Sequence, residues 1–296
     1  MNREDASDLA GHFQSVQSVV VDPADRLWIL DTGNPLFAGS SYGDPKLVAG
    51  DLRTNRIVRK LLSPPEVVPS NSYPNDLCFD LRRGAEGMAF ITDSGGSNGV
   101  IVVDLATGRS WRRLAGHPSV LPDEQFLPLF EGEPLMIRPA DGEPTCYETG
   151  SDGIALSADG QRLSYSPCPA AGCTTCPPTP SPTRTPGTPR RRRRSSTSDS
   201  SRWPTVWRAT TRDGSTAATW NTTPSGAGIR TAPTAPSPRG TDLIWVDTLS
   251  VASDRHLYAT ANQLNRMSLF HEGEDLRRKP YLLVRLPIDA GPVRLV

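Results

Sequence analysis

The chain has 296 residues, and its 32 lysine and arginine side chains balance 32 aspartate and glutamate side chains. Because a neutral chain has no overall field to attract polyanions, this balance excludes nucleic acid and anionic membranes as partners bound by general electrostatics. No apolar run approaches the roughly 20 residues needed to cross a bilayer, and the first residues are charged. We therefore expect neither a membrane span nor an export signal in this sequence.

A unit of strand, polar turn and strand recurs along the chain. Further strands follow the first two copies, at residues 46–58 and 99–114, which gives four short strands per unit. Four strands per unit is the build of a propeller blade, and helix-period stretches are scarce, so the sequence predicts an all-β, β-propeller fold. A sandwich or several small sheets is the alternative. The four copies span residues 18–33, 75–95, 151–165 and 247–260.

Residues 168–238 do not fit this plan. They contain three cysteines, five consecutive arginines at 190–194, a dense run of Pro, Thr and Ser, and few large aliphatic residues. Such a composition cannot offset its ordering entropy by burial, which predicts a disordered segment in place of most of one blade. A C-x-x-C metal knuckle beside an arginine-rich nucleic-acid patch is a second interpretation.

We favour a third interpretation, a pair of compensating frame changes near Pro167 and Arg239. If the message is read two bases later, the middle base of each new codon is fixed by the residue written here. Residues 202–230 then become a hairpin like those of the other blades, with A-D-G-L at its start and R-L-Y on its return. The chain would divide into propeller blades at 1–167, a frame-shifted blade at 168–238 and a last blade at 239–296, and the cysteines and arginines would carry no chemistry.

Seven segments resemble, in order and spacing, the major royal jelly and yellow protein family, which includes L-dopachrome tautomerase-related bacterial-type members. The resemblance implies a six-bladed propeller that is secreted. Four blade starts recur here and a fifth only in the offset frame, so we expect the remaining blade upstream of Met1. The segments are RLWILDTG at 26–33, YPNDL at 73–77, FITDS at 90–94, VDLATGRSWR at 103–112, SDGIALS at 151–157, DTLSV at 247–251 and TANQL at 260–264.

The first strand of each propeller blade lines the central channel, so residues that begin these strands should meet at one mouth. Carboxylate and amide oxygens there suit calcium or another divalent cation, or a cationic or polyhydroxylated small molecule. The same residue types also cap turns or hydrogen-bond neighbouring blades, which is the structural alternative. The residues are Gln17, Ser18, Asn75, Asp76, Ser151, Asp152, Asp247 and Thr248.

Ligand binding is predicted at Asn75, Asp76, Asp152 and Asp247. The likeness to sugar lactonase propellers implies a metal at Asn75, Asp152 and Asp247. The family resemblance implies small-molecule binding in the channel and a dopachrome-conversion-like isomerase, for which Asp152 or Asp247 is the candidate acid or base. A metal-dependent lactonase-like hydrolase and a non-catalytic binding propeller are the alternatives. The sequence leaves open both the oligomeric state and whether the protein is an enzyme.

The frame-change hypothesis makes a prediction about the gene. We expect the codons of residues 202–222, read two bases later, to encode a blade-like hairpin with A-D-G-L at its start and R-L-Y on its return. Nucleotide sequencing of this stretch measures it directly. An offset peptide that does not resemble the hairpins of the other blades would contradict the hypothesis.

Overall fold

The computed structural model describes residues 7–296 except 36–37, 42, 97, 123–128, 131–132, 168–204, 210–214, 220–226, 231–238, 241–242 and 289. Nearly all of its regular structure is antiparallel β-sheet. Single-turn 3₁₀ helices lie at Leu264–Arg266 and Ser268–Phe270. No helix among these residues is long and apolar enough to cross a membrane.

Two complete four-stranded sheets open the chain, and each is a meander in which every strand pairs with the next. Trp28 and Leu30 of the first sheet pack against Leu77 and Phe79 of the second. The Trp28 and Phe79 rings stack with centroids 5.4 Å apart, so alternate residues of each strand build one inter-sheet core. The strands are β1 (Val16–Val21), β2 (Arg26–Asp31), β3 (Lys46–Asp51), β4 (Arg56–Leu62), β5 (Pro74–Asp80), β6 (Met88–Asp93), β7 (Gly99–Asp104) and β8 (Ser110–Arg113).

Short strand pairs and three further sheets follow. In order they are the pairs β9–β10 and β11–β12, a third sheet of β13 and β14, a fourth sheet of β15 to β18, and a fifth sheet of β19 to β21. Their bounds are β9 (Leu129–Phe130), β10 (Glu133–Pro134), β11 (Met136–Ile137), β12 (Thr145–Cys146), β13 (Ser151–Leu156), β14 (Leu163–Pro167), β15 (Thr205–Ala209), β16 (Ser215–Thr219), β17 (Ala227–Arg230), β18 (Arg239–Gly240), β19 (Val246–Val251), β20 (His256–Ala261) and β21 (Leu282–Pro287).

The first strands of the five sheets lie side by side in chain order. β1 neighbours β5, β5 neighbours β13, β13 neighbours β15, and β15 neighbours β19. Sheets whose first strands succeed one another around a common centre form a propeller. The predicted all-β propeller class is confirmed, and the number of blades in the full ring stays a prediction.

The stretch 168–238 differs in part from the disorder predicted for it. β15, β16 and β17 lie inside it, and β18 follows directly after it. The four pair as a meander, because backbone N–H and C=O groups can form a ladder whatever the side-chain composition. The other residues of the stretch, including its cysteines and arginine run, lie outside the described residues. The frame-change hypothesis concerns the gene and stays a prediction.

A buried ion pair supports the first sheet. The Lys46 ammonium lies 2.8 Å from Asp31 Oδ2, and neither side chain is exposed to solvent. Lys46 Nζ also donates to the carbonyls of Leu9 and Asp44, and the Asp31 carboxylate accepts from the backbone N–H of Ser15. Since every charge has partners, the pair ties the residues before β1 to the ends of β2 and β3.

Breaking this pair should be costly, because it leaves one charge buried alone. We expect Lys46→Met to lower the free energy of unfolding by about 3 to 5 kcal/mol, measured by urea denaturation. Arg277→Met is the matched control, since it removes a cation from a pair with Asp275 that lies at the surface, and it should change stability little. Equal losses in the two variants would contradict the prediction.

Candidate functional site

Side chains from four of the five sheets meet where the inner strands begin. We call Gln17, Tyr73, Asn75, Asp76, Asp152 and Asp247 the channel mouth. All six lie in or directly beside the first residues of β1, β5, β13 and β19.

An irregularity in strand pairing aims these side chains. The register shifts between Val16 and Ser18 in β1 and between Pro74 and Leu77 in β5. It shifts again in β13 and in β19, between Ser151 and Ile154 and between Val246 and Leu249. A bulge leaves residues out of the ladder and re-aims their side chains, and every mouth residue except Tyr73 lies within one of these four shifts.

A chain of hydrogen bonds crosses three sheets at the mouth. The Tyr73 hydroxyl donates to Gln17 Oε1 at 2.8 Å, and Gln17 Nε2 donates to Asn75 Oδ1 at 2.9 Å. Asn75 Nδ2 donates to Asp152 Oδ1 at 2.8 Å and to Ser94 Oγ at the same distance. The donors run in one direction, from the phenol towards the Asp152 carboxylate, so Gln17 and Asn75 hold the mouth in one arrangement.

Asp76 is held by its own strand and by the first sheet. Its Oδ1 accepts from Ser18 Oγ at 3.1 Å and from the backbone N–H of Leu77 at 2.9 Å. Thr92 Oγ1, on the neighbouring β6, contacts the carbonyls of both Asp76 and Asp152. The carboxylate therefore stays fixed beside the channel.

Asp247 has a perturbed carboxyl group. Burial, and secondarily the charge of Asp76, raises the pKa of Asp247 to about 6, although a hydrogen bond from Asn262 Nδ2 at 2.9 Å opposes the shift. Burial, together with the charges of Asp247 and Asp152, raises the pKa of Tyr73 to about 12. Near neutral pH the mouth thus combines a carboxyl group that titrates close to that pH with a phenol that keeps its proton.

The mouth does not fit the divalent cation implied by the lactonase likeness. Among the described residues, no group of three or more His, Cys, Asp or Glu side chains is placed to hold a metal ion. Asn75 directs its Nδ2, a donor, towards Asp152, whereas a cation would require oxygens from both side chains. No chemical step is therefore derived through a metal, and calcium at Asn75, Asp152 and Asp247 stays a prediction.

The structure brings together all four residues that the sequence singles out: Asn75, Asp76, Asp152 and Asp247. It adds Tyr73 and Asn262, which the sequence does not assign to the site. They lie within the YPNDL and TANQL segments, respectively, so the signal was an aromatic residue just before β5 and a polar residue just after β20. The sequence also predicts Gln17 at the mouth, but only the structure shows that it bridges Tyr73 and Asn75.

Aspartates at the turns and strand ends have structural roles. Asp22 accepts from Trp28 Nε1 at 2.8 Å and pairs with Arg26. Asp93 pairs with Arg112 and accepts from the backbone N–H of Tyr73 at 2.7 Å. This last contact fixes the backbone just before β5, and so indirectly supports the mouth.

Comparison with known proteins relates the first half of the chain to one family. Residues 14–136 match the family model described as major royal jelly protein. Major royal jelly protein 1 of Apis mellifera is 26% identical over 166 residues, which are 52% of this chain and 34% of that protein. Dopaminechrome tautomerase of Drosophila melanogaster is 26% identical over 113 residues, 38% of this chain and 24% of that protein.

A solved structure also matches, that of a calcium-binding protein, regucalcin, from Agrobacterium tumefaciens. It is 12% identical, with a TM-score of 0.39, and the match covers 95% of this chain and 92% of that one. The curated relatives show the resemblance to the royal jelly and yellow proteins that the sequence motifs predict. The chain spans about a third or less of the length of these relatives.

The raised pKa of Asp247 makes a prediction for stability. Unfolding returns the carboxyl to its usual pKa of 3.8, so the folded protein binds this proton more tightly. Below about pH 4 the Asp247 carboxyl is protonated in both states and does not destabilise the folded protein. As the pH rises through 6, the carboxyl ionises in its buried position and the free energy of unfolding falls. We expect Asp247→Asn to increase stability at pH 7.5 by up to about 3 kcal/mol and to change it little at pH 4, measured by urea denaturation at both pH values.

Asp275→Asn is the matched control for this experiment. Hydrogen bonds from Arg277 lower the pKa of Asp275 to about 2, so its replacement should have the opposite sign, and solvent screening should make the effect small. An Asp247→Asn variant that is less stable than the parent at pH 7.5 would sink the assignment of a raised pKa.

Proposed function

We propose that the channel mouth binds a small amine-derived quinone, whose ring nitrogen carries partial positive charge, and moves a proton on it, as a tautomerase does. One observation carries the proposal: Asp247, with its pKa raised to about 6, shares the mouth with Tyr73, whose pKa is raised to about 12. A base that titrates near neutral pH beside a protonated donor is the pair that a tautomerisation requires.

The charge of the mouth supports a cationic ligand. Three of its six residues, Asp76, Asp152 and Asp247, are carboxylic acids, and none of the six is basic. Because the Asp76 charge already raises the pKa of Asp247, a positive group placed between them would relieve repulsion in a site of low dielectric constant. The Tyr73 ring offers an aromatic surface beside this position.

The proton balance needs no co-reactant. Tautomerisation breaks a C–H bond and forms an O–H bond, with no net oxidation. The Asp247 carboxylate takes the proton from the ring carbon, and Tyr73 exchanges its hydrogen bond to Gln17 for one to the ring oxygen on which negative charge develops. Water then protonates this oxygen, and Asp247 returns its proton to solvent.

Two other functions remain as outcomes of the tests. A metal-dependent lactonase-like hydrolase would need a divalent cation at the mouth, with Asn75, Asp152 and Asp247 as its predicted ligands. A non-catalytic propeller would bind the amine and leave it unchanged. An extracellular location is part of the proposal, because the family resemblance implies secretion.

Activity should depend on Asp247 in a pH-dependent way. With dopaminechrome as substrate, we expect kcat/KM to rise between pH 5 and 7 with an apparent pKa of about 6, because only the ionised carboxyl acts as a base. Asp247→Asn should lower kcat by about 10² to 10⁴-fold and abolish this inflection. Loss of the absorbance of the coloured quinone measures the rate.

Controls separate the possible outcomes. Asp275→Asn should leave kcat and the pH profile unchanged, since this carboxylate pairs with Arg277 at the surface. Retention of the pH 6 inflection in Asp247→Asn would overturn the assignment of the base. Calorimetric binding of dopamine without turnover of dopaminechrome would support the non-catalytic propeller, and turnover of lactones that chelation abolishes would support the hydrolase.

A further inference from the structure

The last residues of the chain follow the fifth sheet in sequence but pack against other sheets. Residues 290–296 follow β21 of the fifth sheet, and we call them the strap. Leu295 is only 3% exposed, whereas the next residue, Val296, is 71% exposed. One leucine of the strap is thus enclosed while its neighbour points to solvent.

Leu295 is enclosed by a groove between the second and third sheets. Its side chain clusters with Cys78 of β5 and with Ile154 and Leu156 of β13, and Val293 packs against the same cluster. Phe90 and Leu163 complete the groove from the second strands of the two sheets. The groove is therefore part of the hydrophobic core between two neighbouring blades, and Leu295 and Val293 of the strap pack into this core.

Polar contacts fix the strap at the end of the ring opposite the channel mouth. The Leu295 carbonyl accepts from the backbone N–H of Leu81, the residue after β5, at 2.8 Å. Arg294 Nη2 lies 3.4 Å from Asp25 Oδ1, in the turn between β1 and β2. Gly160, in the turn between β13 and β14, lies so close that a Cβ built on it would be 3.1 Å from Leu295 Cδ1.

These contacts reach three sheets from a segment that follows the fifth. At the mouth end, Leu135 and Tyr147, which precede β13, already pack around Trp245 and Phe270 of the fifth sheet's core. At the opposite end, the strap is the described segment that joins the fifth sheet's chain to the first, second and third sheets. A propeller must hold its first and last blades together against opening of the ring.

We propose that residues 290–296 are a closing strap: they bind, through Leu295, in the groove between the second and third sheets and tie the fifth sheet to the first three. The groove accepts an extended segment with an apolar residue at one position and a backbone carbonyl that faces Leu81. This inference does not rest on the proposed tautomerase function, since the contacts of Leu295, Arg294 and Val293 on which it is argued are made outside the mouth.

Leu295→Asp tests the strap, with Val296→Asp as the matched control that places the same charge one residue later. Three signals are followed: hydrogen exchange of the Leu81 amide, hydrogen exchange of the β20 amides, and labelling of the buried Cys78 thiol by a maleimide, located by peptide mass spectrometry. We expect Leu295→Asp to accelerate all three by at least about tenfold, because local opening becomes easier. Val296→Asp should leave them at the rates of the parent.

Each other result overturns the proposal. Unchanged Leu81 exchange and Cys78 labelling in Leu295→Asp would show that the strap does not bind in the groove. Acceleration confined to Leu81 and Cys78, with β20 unchanged, would show that the strap does not hold the fifth sheet. Equal acceleration in Val296→Asp would exclude a specific role of Leu295. If circular dichroism shows that Leu295→Asp is unfolded, Leu295→Ala replaces it under the same criteria.

Discussion

The register shift near the start of four of the five inner strands is the constraint on which the site depends. A regular antiparallel strand would send alternate side chains to its two faces, where they would pack between the blades. The shifts in β1, β5, β13 and β19 interrupt this alternation at equivalent places. Polar residues such as Asn75 and Asp152 can then leave the sheet surface and meet each other between neighbouring blades.

The interrupted ladder has a cost that the mouth offsets with side-chain hydrogen bonds. Residues in a bulge lose regular backbone partners, and buried polar groups without partners are destabilising. Here Thr92 Oγ1 contacts the carbonyls of Asp76 and Asp152, and Ser94 Oγ donates to the Ser151 carbonyl at 2.7 Å. The polar side chains of the mouth are therefore part of the inter-blade structure and of the candidate site at once.

Because the polar residues of the mouth belong to the strands themselves, part of the site could be predicted from the sequence. The order of apolar strands and polar turns predicts the sheets, and the position of Asn75, Asp76, Asp152 and Asp247 at strand starts predicts that they meet. Sequence cannot give the direction of a side chain within a bulge, so the bridge from Tyr73 through Gln17 to Asn75 was not predictable. The amino-acid composition of residues 168–238 did not predict the pairing of β15 to β18, because backbone pairing does not require large apolar side chains.

The strap escapes sequence analysis for a related reason. Its apolar residues, Val293 and Leu295, follow no strand-length pattern, and their partners lie far earlier in the chain, between Cys78 and Leu163. Local periodicity reports which face of an element is buried, but it carries no information about which distant element covers that face. Single anchoring residues outside regular elements therefore become visible only in three dimensions.

The carboxylates of the mouth and the strap act on the ring in opposite directions. Ionised Asp76 and Asp247 repel each other across the second and fifth sheets, and burial strengthens this repulsion because little solvent screens it. A ring that relaxed by letting the fifth sheet move outward would let water reach Asp247 and separate the two charges, and both changes would return the pKa of Asp247 towards its usual value. Contacts that hold the fifth sheet in place, around Trp245 at one end and through Leu295 at the other, therefore also keep the carboxyl poised near neutral pH.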